Sequence, residues 1–180
     1  MCHHLGGRDD RSSRRKISYY WGGKSLVLGW DSRWGQLQKV TAEGNSTTGT
    51  YRPYGLDCSG FVDWVFYNAT DGAYYPGHGG GATMQHSYCT PISWEDALPG
   101  DLVFYPDDEH VGIVGGWDEN GELLIVHCAS GYNCVVITEA NGFISIGKRA
   151  RKSARFPRLC HAPLRFCAEH IPYGATSWMW

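Results

Sequence analysis

The sequence predicts a single-domain α+β fold in which one helix packs on an antiparallel β-sheet. An amphipathic segment follows Cys58, and its apolar residues recur at the spacing of one buried helical face. Farther along, several short apolar runs are separated by turn sequences too short for crossover helices, so their strands form an antiparallel meander. The 180 residues, 42% of them hydrophobic, suffice for one domain with its own core. A helix followed by a meander is typical of the α+β class.

The predicted helix begins at Cys58, and a helix N-terminus is where a thiolate is stabilised. The amides of the first helical turn have no intrahelical partners and carry the positive end of the helix dipole. Both effects favour the thiolate over the thiol, which makes Cys58 the candidate nucleophile. The buried face of this helix is predicted to be Phe61, Val62, Val65 and Phe66, and the helix ends before Asp71-Gly72.

Two histidines supply the other polar groups that a cysteine nucleophile needs. Strands are predicted at residues 101–105, 111–117, 123–128 and 135–138. His110 starts the second strand and His127 lies at the end of the third, so antiparallel pairing brings both to the same end of the sheet. We expect this end to face the N-terminus of the Cys58 helix. The order predicts a triad in which His110 accepts the thiol proton, giving a thiolate–imidazolium pair, and His127 orients His110.

The remaining segments are predicted to frame this site. Residues 17–23 read as an extended segment with a tight turn, and residues 82–88 as a short helix. Residues 24–52 have loop composition, and we expect them to form one wall of a substrate groove. Trp30 and Trp34 in this loop either pack against ligand or anchor the loop to the core. His78 and His86 are expected at the surface.

At several of these positions the chain resembles the NlpC/P60 family of papain-like cysteine peptidases. Residues 24–52 are a long insertion relative to the usual family pattern. The resemblance implies a papain-like fold and a hydrolase that cleaves peptidoglycan stem peptides between γ-D-glutamyl and a diamino acid. The blocks that carry it are Tyr19-Tyr20-Trp21-Gly22-Gly23, Asp57-Cys58-Ser59-Gly60, Pro99-Gly100-Asp101-Leu102-Val103-Phe104 with His110, and Val126-His127-Cys128-Ala129.

The resemblance also implies roles for three residues near the cysteine. The Tyr19 hydroxyl would help to hold a developing oxyanion, although a core aromatic residue fits the sequence equally well. Asp57 and Ser59 stand where family members read the free amine of an N-terminal L-Ala. No metal or cofactor is expected. The alternatives are a CHAP-like amidase or acyltransferase that uses the same triad, or a non-catalytic module that binds the cell wall.

Charge divides the chain into three predicted parts. Residues 17–147, the expected catalytic domain, carry four basic and fifteen acidic residues, a net charge of −11. Residues 1–16 have a net charge of +3 and residues 148–180 of +6, and we expect both segments to be poorly ordered. Residues 158–180 have no strand or helix period. The basic tail lacks interleaved aromatic residues, so nucleic acid is not an expected partner.

The expected location is extracellular or in the cell wall. No apolar run is long enough for a membrane span, and no signal peptide is recognisable, so we interpret the chain as a fragment, an isolated domain or a lysin released by lysis. It is expected to be a monomer, alone or within a longer multidomain wall protein. Cys128 and Cys134 are either bridged or free buried thiols. Zinc-ligand types occur in both tails, at Cys2-His3-His4 and at Cys160-His161 with Cys167 and His170, without the spacing of a paired knuckle.

Overall fold

A computed structural model describes residues 16–143 and 158–161. Within these ranges lie the α-helices α1 at Cys58–Ala69 and α2 at Ala82–Ser87, and residues 140–143 are also helical. Short 3-10 helices occur at Trp94–Asp96 and Pro106–Asp108. The strands are β1 Leu37–Lys39, β2 Tyr51–Pro53, β3 Thr90–Ile92, β4 Leu102–Phe104, β5 Val111–Trp117, β6 Leu123–Ala129, β7 Cys134–Glu139 and β8 Arg158–His161.

Six of these strands form one antiparallel sheet in the order β3-β8-β4-β5-β6-β7. The run from β4 to β7 is a meander, because each strand pairs with the next one along the chain. A β-bulge between Val114 and Gly116 shifts the register of β5 against β6. Strands β1 and β2 form a separate antiparallel pair. The meander places the start of β5 and the end of β6 side by side.

Helix α1 packs across β5 and β6, and this contact is the centre of the core. Its residues Phe61, Val62 and Phe66 are buried, as the apolar spacing predicts. They meet buried residues of the strands, including Leu102, Phe104 and Val111. Burial of large side chains of this kind contributes about 1.5–3 kcal/mol each. The α+β class with a helix on an antiparallel sheet is confirmed.

Two predictions about chain segments were wrong. The insertion at residues 24–52 is not entirely loop, because β1 lies within it and pairs with β2 at its far end. Residues 158–161 form β8, which bridges β3 and β4, although residues 158–180 show no strand period. Four residues are too few to display a period, and β8 gains its structure from the two neighbours that pair with it. Residues 1–15, 144–157 and 162–180 lie outside the described residues.

Other features of the described residues bear on the predictions. No helix among them is long and apolar enough to cross a membrane. Cys128 is a free thiol, and both it and Cys134 are buried, so the disulfide between these two residues is not formed. Trp34 is buried and makes edge-to-face contacts with Trp30 and Trp64, at ring-centroid distances of 4.8 and 5.2 Å. These tryptophans anchor the insertion to α1.

Candidate active site

Cys58 is the first residue of α1, and its backbone is fixed by a helix cap. The carboxylate of Asp57, the N-cap residue, accepts a hydrogen bond from the Gly60 amide at 2.7 Å. The backbone amides of Val111 and Ser59 hydrogen-bond toward the Cys58 sulfur. Because Val111 directly follows His110, the contact sets the sulfur at the start of β5. The predicted meeting of the helix N-terminus with this end of the sheet is confirmed.

The surroundings of Cys58 favour its neutral thiol. The side chain is almost completely buried, with 7% of the residue exposed. Burial, followed by the negative charge of Asp57, raises the pKa of the Cys58 thiol to about 11. The amides of Val111 and Ser59 and the ammonium of Lys24 act in the opposite direction and lower the pKa. The helix N-terminus therefore offsets only part of the cost of burying a thiolate.

His110 and His127 lie together, as the antiparallel register predicts. Ile113 pairs with Val126 across β5 and β6, which brings the two histidines to one end of the strands. Their rings share a hydrogen bond of 2.7 Å between His110 Nε2 and His127 Nδ1. His110 Nδ1 is therefore the ring nitrogen that this contact leaves unused, and its contact with the Cys58 thiol remains a prediction. For Nδ1 to be a proton acceptor, the ring hydrogen of neutral His110 must be on Nε2, which then donates a hydrogen bond to His127 Nδ1.

The two imidazoles occupy a largely apolar pocket. The ring of the buried Phe143 lies 5.6 Å from that of His110 and 5.0 Å from that of His127, and Tyr105 packs at 5.0 Å from His110. Burial lowers the pKa of His110 to about 4. Burial and the neighbouring His110 lower the pKa of His127 to about 3. Both imidazoles are therefore neutral at pH 7, and so is the Cys58 thiol. The shifts disfavour the predicted resting thiolate–imidazolium pair.

Thr138 on β7 is a polar partner that the sequence reasoning missed. Its Oγ1 lies 3.2 Å from His127 Nε2. His127 pairs with Val136, so Thr138, two residues along the strand, projects from the same face of the sheet. The strand alternation carried this signal, but only once the register of β6 against β7 is known. A chain of contacts thus runs from His110 through His127 to Thr138.

Tyr19 lies beside the segment that leads into Cys58. Its backbone bridges to Leu56 and its amide donates to the Asn133 carbonyl at 3.2 Å. The ring is half-buried. Burial raises the pKa of the Tyr19 hydroxyl, and the Cys58 thiolate that forms at high pH and the negative charge of Asp57 raise it further. The hydroxyl therefore stays protonated and keeps a hydrogen to donate near Cys58. Its part in an oxyanion site remains a prediction.

Asp57 and Ser59, which were predicted to meet the substrate, are both already bound by Lys24. The Lys24 ammonium lies 2.8 Å from Asp57 Oδ1 and also donates to Ser59 Oγ. The Ser59 hydroxyl in turn donates to the same Asp57 oxygen at 2.9 Å. Sequence reasoning missed Lys24, because it lies 33 residues before Asp57 at the edge of the insertion. Substrate binding by Asp57 and Ser59 remains a prediction.

Two glycines allow backbone and side chains to approach closely around the site. A Cβ on Gly60 would lie 2.1 Å from the Gly23 carbonyl oxygen, so a side chain there would push the extended segment away from α1. A Cβ on Gly112 would lie 2.6 Å from Ile125 Cγ2 and 3.2 Å from His127 Cβ. Both positions need glycine for space.

The two other histidines that the sequence assigned to the surface differ. His78 is exposed, as predicted. His86 is half-buried, so that prediction was wrong. Its ring stacks on Phe104 at 4.6 Å, and its Nδ1 lies 2.7 Å from Asp108 Oδ1. The sequence alone does not show that Phe104 and Asp108 cover this side of the short helix α2, so the partial burial of His86 could not be predicted. Within the described residues no group of three or more His, Cys, Asp or Glu side chains has the arrangement of a metal site.

A helix that begins at a cysteine and packs on an antiparallel sheet with two hydrogen-bonded histidines is typical of a papain-like α+β protein. The NlpC/P60 family model matches residues 16–144, well over half of the chain. The chain belongs to the NlpC/P60 family, a family of peptidoglycan hydrolases that are typically extracellular or associated with the cell wall.

Several known proteins are similar to parts of this chain. A probable endopeptidase p60 of Listeria seeligeri is 36% identical over 72 residues, and that of Listeria innocua is 38% identical over 72 residues. The matches cover 40% of this chain and only 13% and 14% of those relatives, so the chain corresponds to a small part of their length.

Three solved structures support the fold. The peptidoglycan hydrolase RipB of Mycobacterium tuberculosis has a TM-score of 0.50 at 21% identity, over 88% of this chain and 73% of its own. The P60 domain of a Mycobacterium avium subspecies paratuberculosis antigen has a TM-score of 0.52 at 17% identity, over 86% and 89%. RipD of M. tuberculosis, described as non-catalytic and adapted to peptidoglycan binding, has a TM-score of 0.50 at 16% identity, over 83% and 88%.

Proposed function

We propose that this protein is a cysteine endopeptidase that cleaves an amide bond in peptidoglycan stem peptides, between γ-D-glutamyl and a diamino acid. Cys58 is the nucleophile, His110 the base and His127 the group that orients it. The observation that carries the proposal is the 2.7 Å contact between His110 Nε2 and His127 Nδ1 next to Val111, whose backbone amide hydrogen-bonds to the Cys58 sulfur. Family membership supports the peptidoglycan substrate.

In the proposed reaction, the resting pair is neutral and the proton moves as the bond forms. His110 Nδ1 takes the Cys58 proton while the sulfur attacks the amide carbonyl carbon. The developing oxyanion is stabilised by the backbone N–H of Cys58 and by the Tyr19 hydroxyl. His110 then gives the proton to the leaving amine, the C–N bond breaks, and a thioester remains on Cys58. Water, deprotonated by His110, hydrolyses the thioester and releases the free thiol and a carboxylic acid.

His127 and Thr138 set the proton positions that this sequence requires. For His110 Nδ1 to be an acceptor, its Nε2 must carry the hydrogen and donate to His127 Nδ1. His127 then carries its hydrogen on Nε2 and donates to Thr138 Oγ1. This chain of donors keeps His110 in the productive tautomer without placing a negative charge in the pocket.

The wider setting of the enzyme is also proposed. We assign residues 17–147 to the catalytic domain, together with β8 at Arg158–His161, and propose that the protein is secreted and acts at the cell wall as a monomer or as part of a longer multidomain protein. The mechanism proposed here requires no metal or cofactor.

The test is digestion of purified muropeptides, with product masses read by mass spectrometry. Wild-type protein should release products whose new termini lie between γ-D-glutamate and the diamino acid, and Cys58→Ala should release none. Cys89→Ala is the matched control, because Cys89 is another cysteine of the described residues, lies outside the proposed triad and is only half-buried. Retained activity in Cys58→Ala would exclude Cys58 as the nucleophile. New termini at another amide would instead indicate the CHAP-like amidase or acyltransferase.

A non-catalytic wall-binding module is the second candidate, and one observation favours it. Burial raises the pKa of the Cys58 thiol to about 11, which disfavours a reactive thiolate at neutral pH. RipD, a protein of similar fold, is described as non-catalytic. Binding of muropeptides with no cleavage by the wild-type protein, and no rate difference between Cys58 and Cys89 in iodoacetamide labelling, would support this candidate.

A further inference from the structure

A lysine from the insertion binds on both sides of the proposed nucleophile. Lys24 Nζ donates to Asp57 Oδ1 at 2.8 Å and to Ser59 Oγ, the residues directly before and after Cys58. The Ser59 hydroxyl completes a closed ring by donating to Asp57 Oδ1. The same oxygen also accepts from the Gly60 amide at 2.7 Å. Oδ1 of this carboxylate is therefore engaged by three donors before any ligand arrives.

The backbone holds Lys24 in place for this contact. Its carbonyl oxygen accepts a hydrogen bond from the Tyr54 hydroxyl at 2.7 Å. The carbonyl of the preceding residue, Gly23, accepts from the Asp57 amide at 3.1 Å. The lysine stem runs beside Gly60, where an added Cβ would lie 3.1 Å from Lys24 Cδ. These backbone hydrogen bonds fix the main chain at Lys24. Only the side-chain rotamers of Lys24 then have to be ordered to hold the ammonium against Asp57.

The burial of this ion pair decides what else fits beside Cys58. The Asp57 side chain is 10% exposed and the Lys24 side chain 38%. A nearly buried carboxylate without a partner attracts a cation strongly, but here the protein supplies that cation itself. A second ammonium at Asp57 Oδ1 and Ser59 Oγ would either lie against the Lys24 ammonium or have to displace it. Like charges in contact are strongly unfavourable.

We propose that Lys24 is a specificity-determining residue that fills the cation position beside Cys58. The site then favours stem peptides whose group at Asp57 and Ser59 is an uncharged amide over peptides that present a free ammonium there. In substrate terms, it favours stems that are still N-acylated over stems with a free N-terminal amine. This inference rests on the proposed function and names the substrate class of that same site.

The test compares two peptides that differ only at the N-terminus. One is the tripeptide L-Ala-γ-D-Glu-diamino acid, and the other is the same tripeptide with an N-acetyl group. The quantity measured is the ratio of kcat/KM for the acetylated peptide to kcat/KM for the free amine. Lys24→Met removes the charge and keeps the apolar stem, Lys24→Gln is a second neutral variant, and Lys24→Arg keeps the charge. Lys39→Met is the matched control, because Lys39 is an exposed lysine on β1.

The expected result is a ratio above one for wild-type protein that falls about tenfold or more in Lys24→Met and Lys24→Gln, since a tenfold change corresponds to about 1.4 kcal/mol. Lys24→Arg and Lys39→Met should keep the wild-type ratio. A general loss of thiol reactivity in Lys24→Met would lower both rates together and leave the ratio unchanged. The ratio therefore separates specificity from a structural or electrostatic effect on Cys58. Thermal midpoints of all variants identify any that fail to fold.

A wild-type preference for the free amine, or an unchanged ratio in both neutral variants, overturns the inference and leaves the proposed function standing. If wild-type protein cleaves neither peptide, the proposed function fails. Calorimetric binding of both peptides to Cys58→Ala and to Cys58→Ala combined with Lys24→Met then decides the inference alone. The inference is supported if loss of Lys24 strengthens binding of the free amine relative to the acetylated peptide. An unchanged ratio of the two Kd values, or no binding, overturns it.

Discussion

The two sides of Cys58 differ in how they treat charge. On the sheet side, His110 and His127 pack against Phe143, and burial lowers the pKa of both, so this side is neutral at pH 7. On the insertion side, Asp57 carries a charge that Lys24 compensates at 2.8 Å. The sheet side moves a proton without holding a charge, and the insertion side holds a charge pair at a fixed position.

The difference assigns separate tasks to the two sides. A base that is neutral at working pH has a lone pair available for a proton, and the low pKa of His110 makes its protonated form a strong acid toward a leaving amine. A fixed ion pair does no proton transfer at neutral pH, but it selects ligands by charge. Three substitutions on the sheet side test this division.

The largest effect is expected for His110→Ala, which removes the proposed base. Loss of a general acid–base group lowers kcat by about 10²–10⁴-fold. Initial rates of stem-peptide cleavage measure the loss, and the thermal midpoint checks the fold. His78→Asn is the control, because it removes an exposed histidine and suits the positive φ of 43° at that position. A loss in His110→Ala smaller than about tenfold would assign the proton transfer to another group.

A smaller effect is expected in the pH dependence of stability. The pKa of His127 is lowered to about 3 in the folded state from an ordinary value near 6.5, so the unfolded chain binds more protons between these values. The free energy of unfolding therefore falls as pH drops below about 6.5. At pH 5 the effect of His127 is a loss of about 2 kcal/mol relative to neutral pH.

Urea unfolding at pH 7 and pH 5 measures this slope in wild-type protein, His127→Gln and His78→Asn. We expect His127→Gln to lose less stability on acidification than either of the others. Groups with the opposite sign, such as Asp63, whose pKa is raised by burial, contribute equally to all three proteins and cancel in the comparison. Equal slopes would show that His127 is not held neutral by its pocket.

The smallest effect is expected for Thr138→Val, which removes the hydroxyl at 3.2 Å from His127 Nε2. A net hydrogen bond is worth about 0.5–1.5 kcal/mol, so kcat should fall about two- to tenfold with KM unchanged. Thr138→Ser restores the hydroxyl and should restore kcat. If Val and Ser variants behave alike, the contact does not set the tautomer of His127.

Most of the sheet side was predictable from local sequence. Strand β5 begins and ends where the apolar run predicts, β6 extends one residue beyond its prediction, and α1 begins at Cys58. Short turns leave antiparallel pairing as the arrangement, so the two histidines had to meet. Thr138 was missed because its position depends on the register between β6 and β7.

The insertion side was much less predictable. Contacts between residues 24–52 and α1 connect positions far apart in the chain, such as Lys24 with Asp57 or Gly29 with Asn68. Polar residues in a segment without period carry no local signal of their partners. The strand β8 was missed for the same reason, since its structure depends on β3 and β4.

Local sequence was enough to predict the α+β class, the helix that begins at Cys58 and the meeting of His110 with His127, because periodicity and short turns act within a few residues. The neutral state of the buried histidines, the Thr138 hydroxyl behind them and the lysine bound to the Asp57 carboxylate became visible in the three-dimensional fold. Burial and ion pairing depend on which distant segments pack together, and their effects on charge follow from that packing.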